Sequence, residues 1–147
     1  MTNLAAFIVE AHRNGYATTQ ADPGPDGEKV ITYGRGEYGY RDQYYGSTAF
    51  VGHEVVTRDG RPVWGMSYYG DVVREDADPN DVYAVLREAL EQATTDRPYR
   101  GPAAYEGDEM TYSSSVDGDL QRFEGEEHIQ NSETVVYRGT FAGGRVD

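Results

Sequence analysis

The chain contains no cysteine and a single lysine, Lys29, among 147 residues. The first absence excludes disulfides, thiolate catalysis and cysteine-based zinc sites. The second is part of a wider shortage of positive charge. Thirteen basic residues, all but one of them arginine, stand against 26 acidic ones, for a formal net charge of −13. Phosphate backbones and anionic membranes are held through clustered lysine and arginine, so neither nucleic acid nor a membrane is expected as a direct partner. No apolar run is long enough to span a bilayer, and Met1-Thr2-Asn3-Leu4-Ala5-Ala6 carries neither the basic nor the long apolar region of a secretion signal. The expectation is a soluble, cytoplasmic protein. An acidic surface almost without lysine suits molar salt, where self-repulsion is screened, so the acidity reads as halophilic adaptation. The acids are spread along the chain without the spacing of a calcium loop, and neither a metal nor a cofactor is expected.

Phenylalanine is scarce as well, with 4 residues against 13 tyrosines. Tyrosine joins an apolar body to a hydroxyl tip, which suits a half-wet cavity or a partner surface better than a dry core. Tyrosines also fill solvent-facing strand positions because they favour sheets, so the bias alone does not choose between the two.

What the chain does contain, it contains twice. Phe50, Gly52, Glu54, Val56, Val63, Trp64, Tyr68 and Gly70 are answered at a constant offset of 73 (123 − 50) by Phe123, Gly125, Glu127, Ile129, Val136, Tyr137, Phe141 and Gly143. With one residue inserted, Glu37, Tyr40 and Gly46 correspond to Glu109, Tyr112 and Gly118. A helix precedes the strands in each half. The first has Asn3 as cap, Leu4, Phe7, Ile8 and Ala11 as an apolar stripe, and Gly15 placed to end it. The second has Asp78 as cap, Pro79 at the first helical position, and Val82, Val85, Leu86, Ala89, Leu90 and Ala93 as its stripe.

Strand patterns cover 29–33, 37–45, 49–58 and 62–73 in the first half, and 99–105, 109–116, 120–130 and 134–141 in the second. Turns are expected at Asp59-Gly60 and at Asp117-Gly118, with a turn-rich polar loop over 21–27. Gly34-Arg35-Gly36-Glu37-Tyr38-Gly39 satisfies the dinucleotide-binding spacing, but a strand follows where a helix is needed, so it reads as a hairpin turn. The fold class is α+β. A single domain, 1–147, consists of two internally duplicated units of one helix and about four strands, about 1–76 and 77–147. They form a mainly antiparallel sheet with two helices on one face, leaving the other face open for a ligand.

Candidate site residues cluster at the duplicated strand and just upstream of it. Tyr40, Tyr45, Trp64 and Tyr68 are the candidate pocket lining, with Arg41, Asp42 and Glu54 orienting a ligand and Glu127 as the mate of Glu54. In a regular strand Glu54 shares a face with Phe50 and Val56, an apolar setting that raises a carboxyl pKa unless a partner is near, and Arg41 or a tyrosine hydroxyl could be that partner. Such a carboxylate either ties strands together or serves a ligand or acid/base role. His53 and His128 are not equivalent under the duplication and point away from their neighbouring glutamates, which argues against a metal. Ser113-Ser114-Ser115 lacks the setting of a nucleophile elbow.

The run Tyr40-Arg41-Asp42-Gln43-Tyr44-Tyr45-Gly46, followed by Phe50-Val51-Gly52-His53-Glu54-Val55-Val56, Pro62-Val63-Trp64 and Tyr68-Tyr69-Gly70, resembles an uncharacterised bacterial and archaeal domain-of-unknown-function family. Phe7-Ile8-Val9-Glu10-Ala11, Phe123, Gly125, Glu127 and Val136-Tyr137 resemble it too. Members are often fused behind Xre-type helix-turn-helix regulators, whereas this chain looks like a stand-alone, haloarchaeal-type member. The resemblance implies the sensing or interaction half of such a regulator. The resulting expectation is a non-enzymatic small-molecule-binding or sensory domain. The alternatives are a protein-interaction or homodimerisation module and an enzyme using Glu54 or Asp42 as acid or base.

Overall fold

The computed structural model describes residues 3–17 and 22–147, so Met1, Thr2 and the first residue of the 21–27 loop lie outside the described residues. Helix α1 spans Leu4–Ala17 and starts where Asn3 Oδ1 accepts the Ala6 N–H at 2.7 Å. It continues past Gly15, against expectation. Gly15 is buried, and a β-carbon there would lie 3.3 Å from Ile31 Cγ2, so this glycine brings the helix close to the sheet instead of ending it.

The strands are β1 (Asp22–Pro23), β2 (Lys29–Arg35), β3 (Tyr38–Gly46), β4 (Ala49–Arg58) and β5 (Arg61–Val72), then, after α2 (Pro79–Leu90), β6 (Ala104–Glu106), β7 (Met110–Asp119), β8 (Arg122–Asn131) and β9 (Thr134–Arg145). They form one sheet of nine strands in the order β1-β2-β3-β4-β5-β9-β8-β7-β6, antiparallel at every pairing described. Two meanders thus meet at β5 and β9, where Tyr68 pairs with Phe141. Phe50 pairs with Gly70 and Phe123 with Gly143, and each of these hairpins shifts register once, between Val56 and Thr57 and between Ile129 and Gln130.

Three turn and strand expectations need correction. Asp59 and Gly60 both have positive φ, as a tight hairpin requires. Asp117-Gly118, by contrast, lies within β7, and the chain reverses later because Asp119 Oδ1 accepts the Gln121 N–H at 2.9 Å. Of the strand expected over 99–105 only the last two residues form, as the start of Ala104–Glu106, and Pro98 and Pro102 have no N–H to give a ladder before it. The segment instead lies buried over the sheet at Pro98, Tyr99, Arg100 and Gly101. The turn-rich loop contributes the two-residue β1.

Both helices cover the same face. Helix α1 sets Phe7, Ile8 and Ala11 on Tyr38, Tyr40, Val56, Trp64 and Met66. Helix α2, capped by Asp78 on the Asn80 N–H at 2.9 Å, sets Val82, Val85, Leu86, Ala89 and Leu90 on Tyr112, Ile129, Val136 and Tyr137. The opposite face is uncovered and carries Tyr45, Val51 and Tyr69 in one cross-strand row, Tyr45 facing Val51 and Val51 facing Tyr69.

Candidate functional site

Alternation along the strands decides which side chains reach the helix-covered face. On β3 these are Tyr38, Tyr40, Asp42 and Tyr44, on β4 Gly52, Glu54 and Val56, and on β5 Trp64, Met66 and Tyr68. Asp42 and Glu54 are directly opposed in the β3–β4 register, so two carboxyl groups face each other in the interior. Both are buried.

The two meet different partners. Glu54 Oε1 lies 2.6 Å from His12 Nε2 on α1, while its Oε2 has no hydrogen-bond donor among the described residues. Asp42 Oδ1 accepts the Tyr68 hydroxyl at 2.5 Å, and the Tyr40 hydroxyl lies 3.5 Å from Oδ2. Burial, followed by the charge of Glu54, pushes the Asp42 carboxyl up to about 7, although the Tyr68 hydrogen bond and the charges of Arg100 and His12 offset part of the rise. Burial and the neighbouring Asp42 likewise raise the Tyr68 phenol.

Glu127, on β8, is bound more completely. Arg100 donates to it through Nε at 3.2 Å and Nη2 at 2.9 Å, Tyr112 through its hydroxyl at 2.9 Å and Tyr137 at 2.8 Å. Burial alone would raise this carboxyl, but the Arg100 charge and the hydrogen bonds together outweigh it and hold the group below its ordinary range. Arg100 also lies over the Tyr68 ring, 5.0 Å from its centroid, and so links the two carboxylate clusters.

The glycines of the repeated pattern make room for these groups. A β-carbon at position 52 would lie 2.6 Å from the Tyr68 hydroxyl oxygen, and one at position 125 would lie 2.5 Å from the Phe141 ring.

Above Asp42 and Tyr68 a cleft of about 280 Å³ opens between the helices and the sheet. Asp42, Tyr68 and Arg100 line it together with Tyr44, and Ile31, Phe50, Tyr83, Leu86 and Leu90 supply apolar lining. Lys29 and Arg87 line it too, and both are solvent-exposed. A larger groove of about 660 Å³ crosses the uncovered face past Val51, Ser67, Tyr69, Glu124, Glu126 and Thr140. Tyr68 borders both spaces, whereas the buried Asp42 carboxyl and the buried Arg100 guanidinium line only the cleft between the helices and the sheet.

Residues 42–146, from this aspartate through β9, match a domain of unknown function, DUF5680. The chain belongs to the DUF5680 family. No curated protein and no solved structure matches it. The matched span of this DUF5680 protein holds Asp42, Glu54, Tyr68, Arg100 and Glu127, whereas His12, Lys29 and Tyr40 precede it.

Of the residues singled out in the sequence, Asp42 and Tyr68 line the cleft and Tyr40 stands beside Asp42. Glu54 and Glu127 are buried and do not line it, and their partners are His12 and the Arg100–tyrosine set, not Arg41. Trp64 is fully buried under α1, stacked on Phe123 with ring centroids 5.7 Å apart, so it belongs to the core. Arg41 and Tyr45 lie on the uncovered face, joined through Gln43, because they are an odd number of residues from Tyr40 and Asp42.

The cleft is on the helix side, and the larger groove crosses the open face on which a ligand is expected from the sequence. His12, Tyr44, Arg100, Tyr112 and Tyr137 were not singled out as site residues. His12 had a signal: it falls four residues after Ile8 and continues the buried stripe, where a polar side chain needs a buried partner.

Proposed function

We propose that this DUF5680 domain is a non-enzymatic small-molecule-binding, sensory module whose ligand enters the cleft between the helices and the sheet. The observation that carries this reading is the cleft itself. It is concave, of about 280 Å³, with a lining that joins an apolar wall of Ile31, Phe50, Leu86 and Leu90 to polar groups, Asp42, Tyr68 and Arg100, that converge on it. The Asp42 carboxyl, held up to about 7, can give or take a hydrogen bond with a ligand near neutrality.

The repeated pattern supports the same view if the two halves arose by duplication. At the place of Asp42 the second half has Ser114, and at the place of Tyr68 it has Phe141. The segment holding Pro98, Tyr99 and Arg100 packs over that half of the sheet, and Ser114 Oγ donates to the Pro102 carbonyl at 2.8 Å. One half would then be specialised for binding and the other for rigidity. A regulatory setting and a cytoplasmic, high-salt environment fit this reading.

Blocking substitutions test it. A metabolite library is screened by thermal shift against the parent protein, Ser47→Trp at the cleft and Ser67→Trp on the uncovered face. Hits should survive Ser67→Trp and vanish in Ser47→Trp. Hits that behave the other way round, or no hit at all, would reject the cleft. A ligand at 100 times its Kd stabilises the folded state by about 2.7 kcal/mol, well within reach of the measurement.

A second reading rests on the exposed row Tyr45, Val51 and Tyr69, which suits a homodimer or protein partner on the uncovered face. A mass by light scattering that rises with concentration, and falls back in Tyr69→Glu, would favour it.

A further inference from the structure

The charge lining the cleft is opposite to that of the rest of the molecule. Acidic residues outnumber basic ones two to one in the chain, 26 to 13, yet the cleft is lined by three basic residues, Lys29, Arg87 and Arg100, and by one acidic residue, Asp42. Arg100 is engaged by Glu127 at the base. Lys29 and Arg87 have no carboxylate within salt-bridge distance among the described residues. Both lie near the same residue: Lys29 Nζ is 5.7 Å from the Tyr44 ring centroid, and the Tyr44 phenol, raised by burial and by the charge of Asp42, has that rise partly offset by the charge of Arg87. Apolar side chains from β2, β4 and α2, namely Ile31, Phe50, Tyr83, Leu86 and Leu90, supply a surface for a hydrocarbon or aromatic body.

We propose that the cleft selects a small organic anion with an apolar body, its charge met by Lys29 and Arg87 and its body laid against Phe50, Leu86 and Leu90. This rests on the ligand-binding reading above and adds the class of ligand. A protein with a net charge of −13 repels anions over most of its surface, so a local cationic mouth both attracts the ligand and distinguishes it from cations of the same shape. A cationic ligand would meet the like charges of Lys29 and Arg87, and a neutral one would gain nothing from them.

Four probes of similar apolar body separate these cases: phenylacetate, phenyl phosphate, 2-phenylethylamine and 2-phenylethanol, each titrated into the full chain by calorimetry at low and high salt. At least one of the two anions is expected to bind about tenfold tighter than the amine and the alcohol, with that margin shrinking at high salt. The comparison of carboxylate with phosphate then names the anionic group. Lys29→Gln/Arg87→Gln, which changes only exposed side chains, should lose about tenfold in anion affinity and leave affinity for the alcohol unchanged. An amine or alcohol that binds as well as both anions overturns the inference and leaves the ligand-binding reading standing. Saturable binding by none of the four also overturns it, and the Ser47→Trp library screen then decides separately whether the cleft binds any small molecule.

Discussion

Asp42 and Glu54 are opposed on neighbouring strands, and two like charges in that position repel. A proton held on Asp42 to about pH 7 relieves the repulsion. The unfolded chain releases this proton near the ordinary value of 3.8, so between 3.8 and 7 the folded state binds the extra proton and this group's contribution to stability falls as the pH rises. The slope is at most about 1.4 kcal/mol per pH unit. Asp42→Asn removes the ionisation, so chemical denaturation at a series of pH values should show the variant gaining on the parent from pH 4 to pH 7 and staying level above. A difference between the two that does not change with pH would contradict the placement of that proton.

Glu127 behaves in the opposite sense. Its carboxyl lies below the ordinary value of 4.5, so its contribution is complete above that pH and is lost as the pH falls through the folded-state value. Arg100→Ala leaves a buried carboxylate short of its cation and should cost about 3–5 kcal/mol in denaturant midpoint measurements near neutrality. A cost below about 1 kcal/mol, the range of exposed pairs, would mean that Arg100 is not buried against Glu127. The repeated glutamates were legible in the sequence as anomalies, a charge on an apolar strand face. Their partners were not, because His12 and Arg100 are 42 and 27 residues away along the chain and meet them only through tertiary packing.

At the level of elements, local rules were enough wherever a residue's own backbone decided the outcome. The Asp78 cap, the Asp59-Gly60 hairpin and the apolar stripe of α2 all form as their sequences indicate. Asp78→Ala should therefore lower stability by about 1 kcal/mol, read as a lowered melting temperature. Local rules failed where packing overrode them. Gly15 lies inside α1 because the sheet needs a small residue there, and Gly118 lies inside β7 because Asp119, not Asp117, organises the reversal.

Gly52 connects an element to the site. Any side chain there meets the Tyr68 hydroxyl and the Gln43 carbonyl at 2.6 Å, so Gly52→Ala must push Tyr68 off Asp42 or spread β3 from β4. The expected result is a loss of about 1–3 kcal/mol, the usual cost of overpacking. The environment-sensitive ultraviolet absorbance of the buried tyrosines should change in the same variant. A variant as stable as the parent would show that the space beside Gly52 is larger than described.

For the molecule as a whole, one sheet has two unlike sides. One is covered by both helices and holds the carboxylates and the cleft, and the other shows Tyr45, Val51 and Tyr69 to solvent. Fold class and strand order along the chain were legible from periodicity and turns. The face the helices cover was not, since aromatic residues alternate onto both sides of β3 and β5, so the side on which Asp42, Tyr68 and the cleft lie could not be read from the sequence.

The same division of tyrosines between faces supplies the most direct test. With tyrosine rings labelled with carbon-13 and assigned by single Tyr→Phe substitutions, NMR spectra are recorded during titration with a ligand found in the thermal-shift screen. The account predicts that the Tyr44 and Tyr68 resonances move together to saturation while those of Tyr45 and Tyr69 stay in place. Movement of Tyr45 and Tyr69, with Tyr44 and Tyr68 unmoved, would put the ligand on the uncovered face and contradict the account.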